Sequence, residues 1–92
     1  HAGRREIVAE DAAYAVMTAP PEEDEVSSDF APAIIAEMST PILSQTVAQA
    51  VMQLDLTDKP VIVFSNAATG KINVVYRRSD GNVGWIDPSK SA

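Results

Sequence analysis

The sequence predicts an α+β domain: one helix packed on a small three- to four-stranded, mainly antiparallel sheet. Three observations carry this. Thr46 and Gln49 stand in the T-x-x-Q spacing of a capping box, in which each side chain satisfies a backbone N–H at the start of a helix. Behind them Val47, Ala50, Val51 and Leu54 recur at i, i+3, i+4 and i+7, one face of a helix. After Pro60 come three short runs rich in β-branched and aromatic residues, separated by turn residues.

From the N-terminus, residues 4–17 read as a short ordered piece of the segment 1–19. Asp11 can cap a brief helix over Ala12–Met17, or the same apolar run can form a strand. The acidic, proline-led stretch Pro20–Asp29 reads as a linker, with its boundary placed at residues 20–32: like charges and two prolines bury too little surface to order themselves. As a calcium loop it lacks alternating ligands and a turn glycine. Ala33–Met38 is apolar enough for a strand, and Pro32 and Pro41 restrict it to an edge or an arm. The helix stops near Leu56–Asp58, because Pro60 disfavours helical geometry at Lys59 and has no amide to donate.

Val61–Phe64 suits a strand covered on both faces. Gly70 can take positive φ in the turn that follows. Ile72, Val74 and Tyr76 alternate with Asn73, Val75 and Arg77 across the next strand. Ser79–Asn82 makes a second turn, and Val83–Ile86 is a last short strand closed by Pro88. Gly81 and Gly84 fit a tight turn and a close strand approach. The domain boundary falls at 33–88, with residues 89–92 as a tail.

Composition narrows the function. The chain has 92 residues, no cysteine and one histidine, so neither disulfides nor a Cys/His zinc site can staple it. Small folds without staples often gain stability by pairing with another chain. No apolar run approaches the roughly 20 residues of a membrane span. No signal-peptide core follows the N-terminal arginines, and the absence of cysteine fits a reducing cytoplasm. The first residue is not methionine, which reads as a fragment of a longer protein. Residues 1–58 hold eleven acids against Arg4 and Arg5, whereas residues 59–92 hold two acids against five bases. An acidic front half repels phosphate, making this a poor main grip on nucleic acid. Catalysis lacks a nucleophile–base pair, a G-x-S-x-G elbow and a phosphate-binding glycine loop. The reading is a non-enzyme with no cofactor and no metal.

The stretch from Asn66 to Pro88, N-A-A-T-G-K-I-N-V-V-Y-R-R-S-D-G-N-V-G-W-I-D-P, resembles the C-terminal domain of long-form hibernation promoting factors, also called sigma-54 modulation or S30EA-type ribosomal proteins. The resemblance extends over about residues 40–88. Val47–Leu56 is similar to that family's helix, and Val61–Phe64 stands where the family carries an aromatic-rich strand. Departures are Asp58-Lys59-Pro60 for G-H-D, Val61 and Ile62 for two phenylalanines, and Trp85 for leucine. The chain also resembles the second of two tandem copies in actinobacterial, dormancy-associated members.

The resemblance implies a dimerisation domain of a ribosome hibernation factor, which helps to inactivate and preserve idle ribosomes under stress or dormancy. Its implied partners are a second copy of itself and the ribosome, reached through the full-length protein. A sister domain of the same chain is a further one. The alternative is a docking module for a ribosomal protein, ribosomal RNA or that sister domain. The implied dimer interface is Val61, Val63, Ile72, Val74 and Tyr76, with Ile34 and Ile35 on an arm that exchanges between twins. Bottom-up reasoning agrees, since one helix covers only one side of a three-stranded sheet and a twin supplies the second layer. Arg77, Arg78 and Trp85 are candidates for ribosome or partner contact. Against that stands the pairing of an arginine with Asp80 or Asp87 on its own surface.

Overall fold

The computed structural model describes residues 9–20 and 29–90. Five strands and one helix follow in the order β1 (Ala9–Met17), β2 (Ile34–Gln45), α1 (Val47–Leu56), β3 (Val61–Asn66), β4 (Ile72–Arg77) and β5 (Val83–Ile86). The described residues fall into two compact units, residues 11–20 and 29–41 on one hand and residues 42–90 with Ala9 and Glu10 on the other.

In the first unit β1 pairs with β2, so the segment left open between helix and strand is a strand. At the end of this ladder the Thr18 amide donates to the Ala33 carbonyl at 2.9 Å, and the Ala33 amide donates to Thr18 Oγ1 at 3.0 Å. Most of the acidic stretch read as a linker, and residues 4–8, lie outside the described residues.

The second unit is built as anticipated around α1. Thr46 is the N-cap with an extended backbone, and its hydroxyl accepts from the Gln49 amide at 3.1 Å while Gln49 Oε1 accepts from the Thr46 amide at 2.9 Å. Replacing Thr46 with alanine removes both the cap and the geometry that Gln49 reaches back to. We expect Thr46→Ala to lower unfolding stability by about 1 kcal/mol, read by urea titration. The helix ends at Leu56 with Thr57 as C-cap. Its buried Ala50 and Leu54 pack on Ile62, Phe64 and Val75, with Val47 and Val51 at the margin.

The sheet departs from the expected three- to four-stranded, mainly antiparallel form. The hydrogen-bonded order is β1-β2-β3-β4-β5, and the sheet is mixed. β3–β4 and β4–β5 are antiparallel, but β2 meets β3 in parallel through Ser44–Ser65 and Gln45–Asn66. The cause is the helix: a strand–helix–strand passage returns the chain in its original direction, and adjacent strands joined that way run parallel. The second strand is also longer than read, continuing through Pro41 to Gln45. Pro41 is outside the two positions that pair with β3, so the amide it lacks is not needed in that ladder.

Candidate functional site

The β3–β4 register sets Val61 opposite Tyr76, Val63 opposite Val74 and Ser65 opposite Ile72. The β4–β5 register adds Ile86 opposite Val74 and Gly84 opposite Tyr76. Cross-strand partners share a face, so five of the seven anticipated interface residues come together on one side of the sheet. The other side carries Ile62, Phe64, Asn73 and Val75, all buried under α1 or beside it. Strand β3 was read as covered on both faces; within one chain it is covered on one. Val61 and Val63 are 43% and 42% exposed, Ile72 49% and Ile86 56%. Val61, Val63, Ile72, Val74, Tyr76 and Ile86 carry no charge, and at the margin the Arg78 guanidinium hydrogen-bonds the Tyr76 hydroxyl. Ile86 was missed by sequence reasoning, although its register position follows once Gly84 is aligned with Tyr76.

Ile34 and Ile35 belong to the first unit, and both are exposed there. Being successive on β2 they point to opposite faces of their strand.

A polar network closes the other end of the meander. Asn73 Oδ1 accepts from both Asn66 Nδ2 and Trp85 Nε1, each at 2.9 Å. Asn66 Oδ1 accepts from the Ala68 amide at 2.9 Å, and its carbonyl accepts from the Thr69 and Gly70 amides. Gly70 completes the turn at φ +74°, where other residues are strained. The N-A-x-T-G motif is thus a buried asparagine that holds its own hairpin. Buried side-chain amides need such partners, and unpaired ones cost about 1–3 kcal/mol each.

Trp85 lies opposite Val75, on the helix side of the sheet and across from Tyr76. Lys90 Nζ rests 4.9 Å from its ring centroid. The two arginines divide. Arg77 closes the helix C-terminus: its guanidinium donates to the carbonyls of Leu54, Thr57 at 2.8 Å and Lys59 at 3.2 Å, groups no intrahelical amide reaches. Arg78 pairs with Asp80 at 3.0 Å. That guanidinium holds the Asp80 carboxyl below its ordinary range, and the Asn82 amide adds to the effect. Asp87 is likewise lowered, first by the Ser89 hydroxyl and then by the Ser89 amide. Sequence spacing placed both arginines at a strand end; which carbonyls Arg77 would meet depended on where the helix finished.

Among the described residues no cluster of three or more His, Cys, Asp or Glu could hold a metal, and no helix is long and apolar enough to cross a membrane. The open sheet face offers an apolar surface, and beside the helix Asp55, Arg77 and Arg78 line a cavity with Val51, Met52 and Val83.

Comparison with known proteins gives a consistent picture. Residues 29–84 match the family described as Sigma 54 modulation/S30EA ribosomal protein C terminus. A protein named ribosome hibernation promotion factor from Bradyrhizobium diazoefficiens is 45% identical over 91 residues, covering 96% of this chain and 44% of that protein. One of the same name from Rhizobium meliloti is 50% identical over 76 residues, covering 82% of this chain and 40% of its own. A third, from Bacillus subtilis, is 29% identical over 68 residues, covering 74% and 36%. The chain therefore spans less than half the length of these relatives. No solved structure matches it.

Proposed function

This chain belongs to the family of Sigma 54 modulation/S30EA ribosomal protein C termini, and from that membership we propose that it is the non-enzymatic pairing domain of a ribosome hibernation factor. In this reading it acts in the cytoplasm, and residues 33–88 join a second copy through the open sheet face. The family supports the hibernation role, since relatives matched over most of this chain carry that name. The observation that carries the pairing is the uncovered face of Val61, Val63, Ile72, Val74, Tyr76 and Ile86, apolar and uncharged on a molecule of net charge −6. An isologous contact sets a patch against itself. A patch with no charge meets its own copy without repulsion, and burying its apolar area is favourable.

The arm bearing Ile34 and Ile35 exchanges between twins in this proposal. A two-stranded ribbon is marginal alone in water, and Tyr14, Ile34, Ile35 and Met38 are all about half exposed or more on it.

Sedimentation of the chain over a concentration series tests the pairing. The expected result is a mass that rises to twice the single-chain value. A single-chain mass at every concentration would overturn it and favour a module that docks on a ribosomal protein, ribosomal RNA or a sister domain. Ribosomal RNA is the least favoured of these, because Arg77 is spent on helix carbonyls and Arg78 on Asp80.

A further inference from the structure

The open face contains one large side chain, and how it lies decides the height of the whole surface. Tyr76 is opposite Gly84 in the β4–β5 register. A methyl group built on Gly84 would stand 2.6 Å from the Tyr76 phenol oxygen and nearer still to two carbons of its ring. Real Cβ atoms essentially never come so close, so the ring occupies the space a side chain at position 84 would take. Gly84 has ordinary backbone geometry, since the positive-φ glycines are Gly70 and Gly81. The glycine is not required by its own dihedral angles. It is required by the ring above it.

We propose that Gly84 is a specificity-determining residue for self-association: it lets Tyr76 lie down across β5, and the levelled face is what a second copy's sheet can meet. The inference rests on the pairing reading above and adds the residue that makes it geometrically feasible. Val61, Val63, Val74 and Ile86 are of similar, modest height. Facing sheets pack about 10 Å apart with side chains of this kind interleaved. A tyrosine standing upright among them would hold the two layers apart at one point and leave voids around it, and voids forfeit dispersion contacts on every lining atom. Lying on a glycine, the same ring adds its area to the patch without projecting. Cross-strand cover of an edge-strand glycine by an aromatic ring also shields backbone that would otherwise be open. Tyr76 is half-buried even in the single chain, as a ring resting on backbone must be.

The partner is therefore a second copy of this chain. Its matching surface has the same low relief and the same uncharged side chains, and the Arg78 guanidinium that reaches the Tyr76 hydroxyl at the margin is balanced by Asp80.

The test is a double-mutant cycle in sedimentation, using Gly84→Ala, Tyr76→Ala and the pair together on the full 92-residue chain. Gly84→Ala lifts the ring and should raise the dimer Kd by about tenfold or more, the scale of an overpacked contact. In the background of Tyr76→Ala nothing remains to be lifted, so adding Gly84→Ala should leave Kd unchanged. The two substitutions are thus expected to be strongly non-additive. A Kd for Gly84→Ala equal to that of the unmodified dimer, or an additive cycle, would overturn the role given to Gly84 and leave the pairing reading standing. A single-chain mass for the unmodified protein would remove both. Should Gly84→Ala fail to fold, the comparison of Tyr76→Ala with the double variant decides: equal Kd values support the proposal, and a weaker double variant overturns it. Proton NMR supplies a readout independent of association. The Gly84 α-protons should be shifted upfield by the overlying ring and return toward ordinary values in Tyr76→Ala; ordinary values in the unmodified protein would overturn the geometry.

Discussion

If the open face pairs as proposed, Val74→Asp should convert the dimer into single chains while leaving the fold intact. Val74 is central in the open face, flanked by Val63 on β3 and Ile86 on β5. In a single chain an aspartate there stays in contact with water, because the helix covers the opposite side. In the proposed dimer the same carboxylate, and its copy from the twin, would be enclosed among valines and isoleucines. An unpaired charge in such a place costs about 3–5 kcal/mol, which is roughly a hundredfold or more in Kd. Sedimentation should show a single-chain mass at concentrations where the unmodified protein is dimeric, with an unchanged far-UV spectrum. A variant as dimeric as its parent would show that pairing uses another surface.

Phe64→Ala should have the opposite character, destroying the fold before pairing can be asked about. Phe64 is fully buried against α1, and truncating a buried phenylalanine costs about 3–5 kcal/mol. Native stability is only about 5–15 kcal/mol, and a small domain lies toward the bottom of that range. Thermal unfolding should therefore lose its cooperative transition or shift strongly downward. The informative control is the adjacent Val63→Ala, which on the open face should cost no more than about 1 kcal/mol in single chains. Making both changes in the Val74→Asp background keeps association out of the measurement. Equal losses from the two neighbours would mean that the alternation between covered and open faces is wrong.

On β3 that alternation was not legible, since Val61–Phe64 is a continuous apolar run that read as covered on both faces, but most of the rest of the second unit was. Helix α1 could be placed from Thr46, Gln49 and the spacing of Val47, Ala50, Val51 and Leu54, because caps and periodicity are properties of consecutive residues. The facing of Ile72, Val74 and Tyr76 against Asn73 and Val75 follows from the two-residue repeat of a strand in the same way. The candidate face was correspondingly easy to list on β4, with Val61 and Val63 set beside it by the resemblance and by the apolar surface one helix cannot cover.

What escaped the reading depends on partners distant in the chain. The parallel meeting of β2 and β3 is made by Ser44 with Ser65 and Gln45 with Asn66, two contacts that no local pattern announces. Pro32 and Pro41 were read as limiting a strand over Ala33–Met38 to an edge or an arm, and the strand in fact continues through Pro41 to Gln45. Arg77 was read as a candidate for ribosome or partner contact, or for pairing with Asp80 or Asp87, and only the folded chain brings the carbonyls of Leu54, Thr57 and Lys59 to it.

The sequence by itself determined the α+β class, the capped helix, the three-strand meander and the family, since each is encoded in short-range spacing. Tertiary structure alone decided that the sheet is mixed, that Ile86 joins the open face, that Trp85 sits across the sheet from Tyr76 and that Tyr76 rests on Gly84. The physical reason is register. A strand's own residues say which side chains alternate, but which of them become neighbours is set by pairing between strands. A shift of one position would send every one of them to the other face.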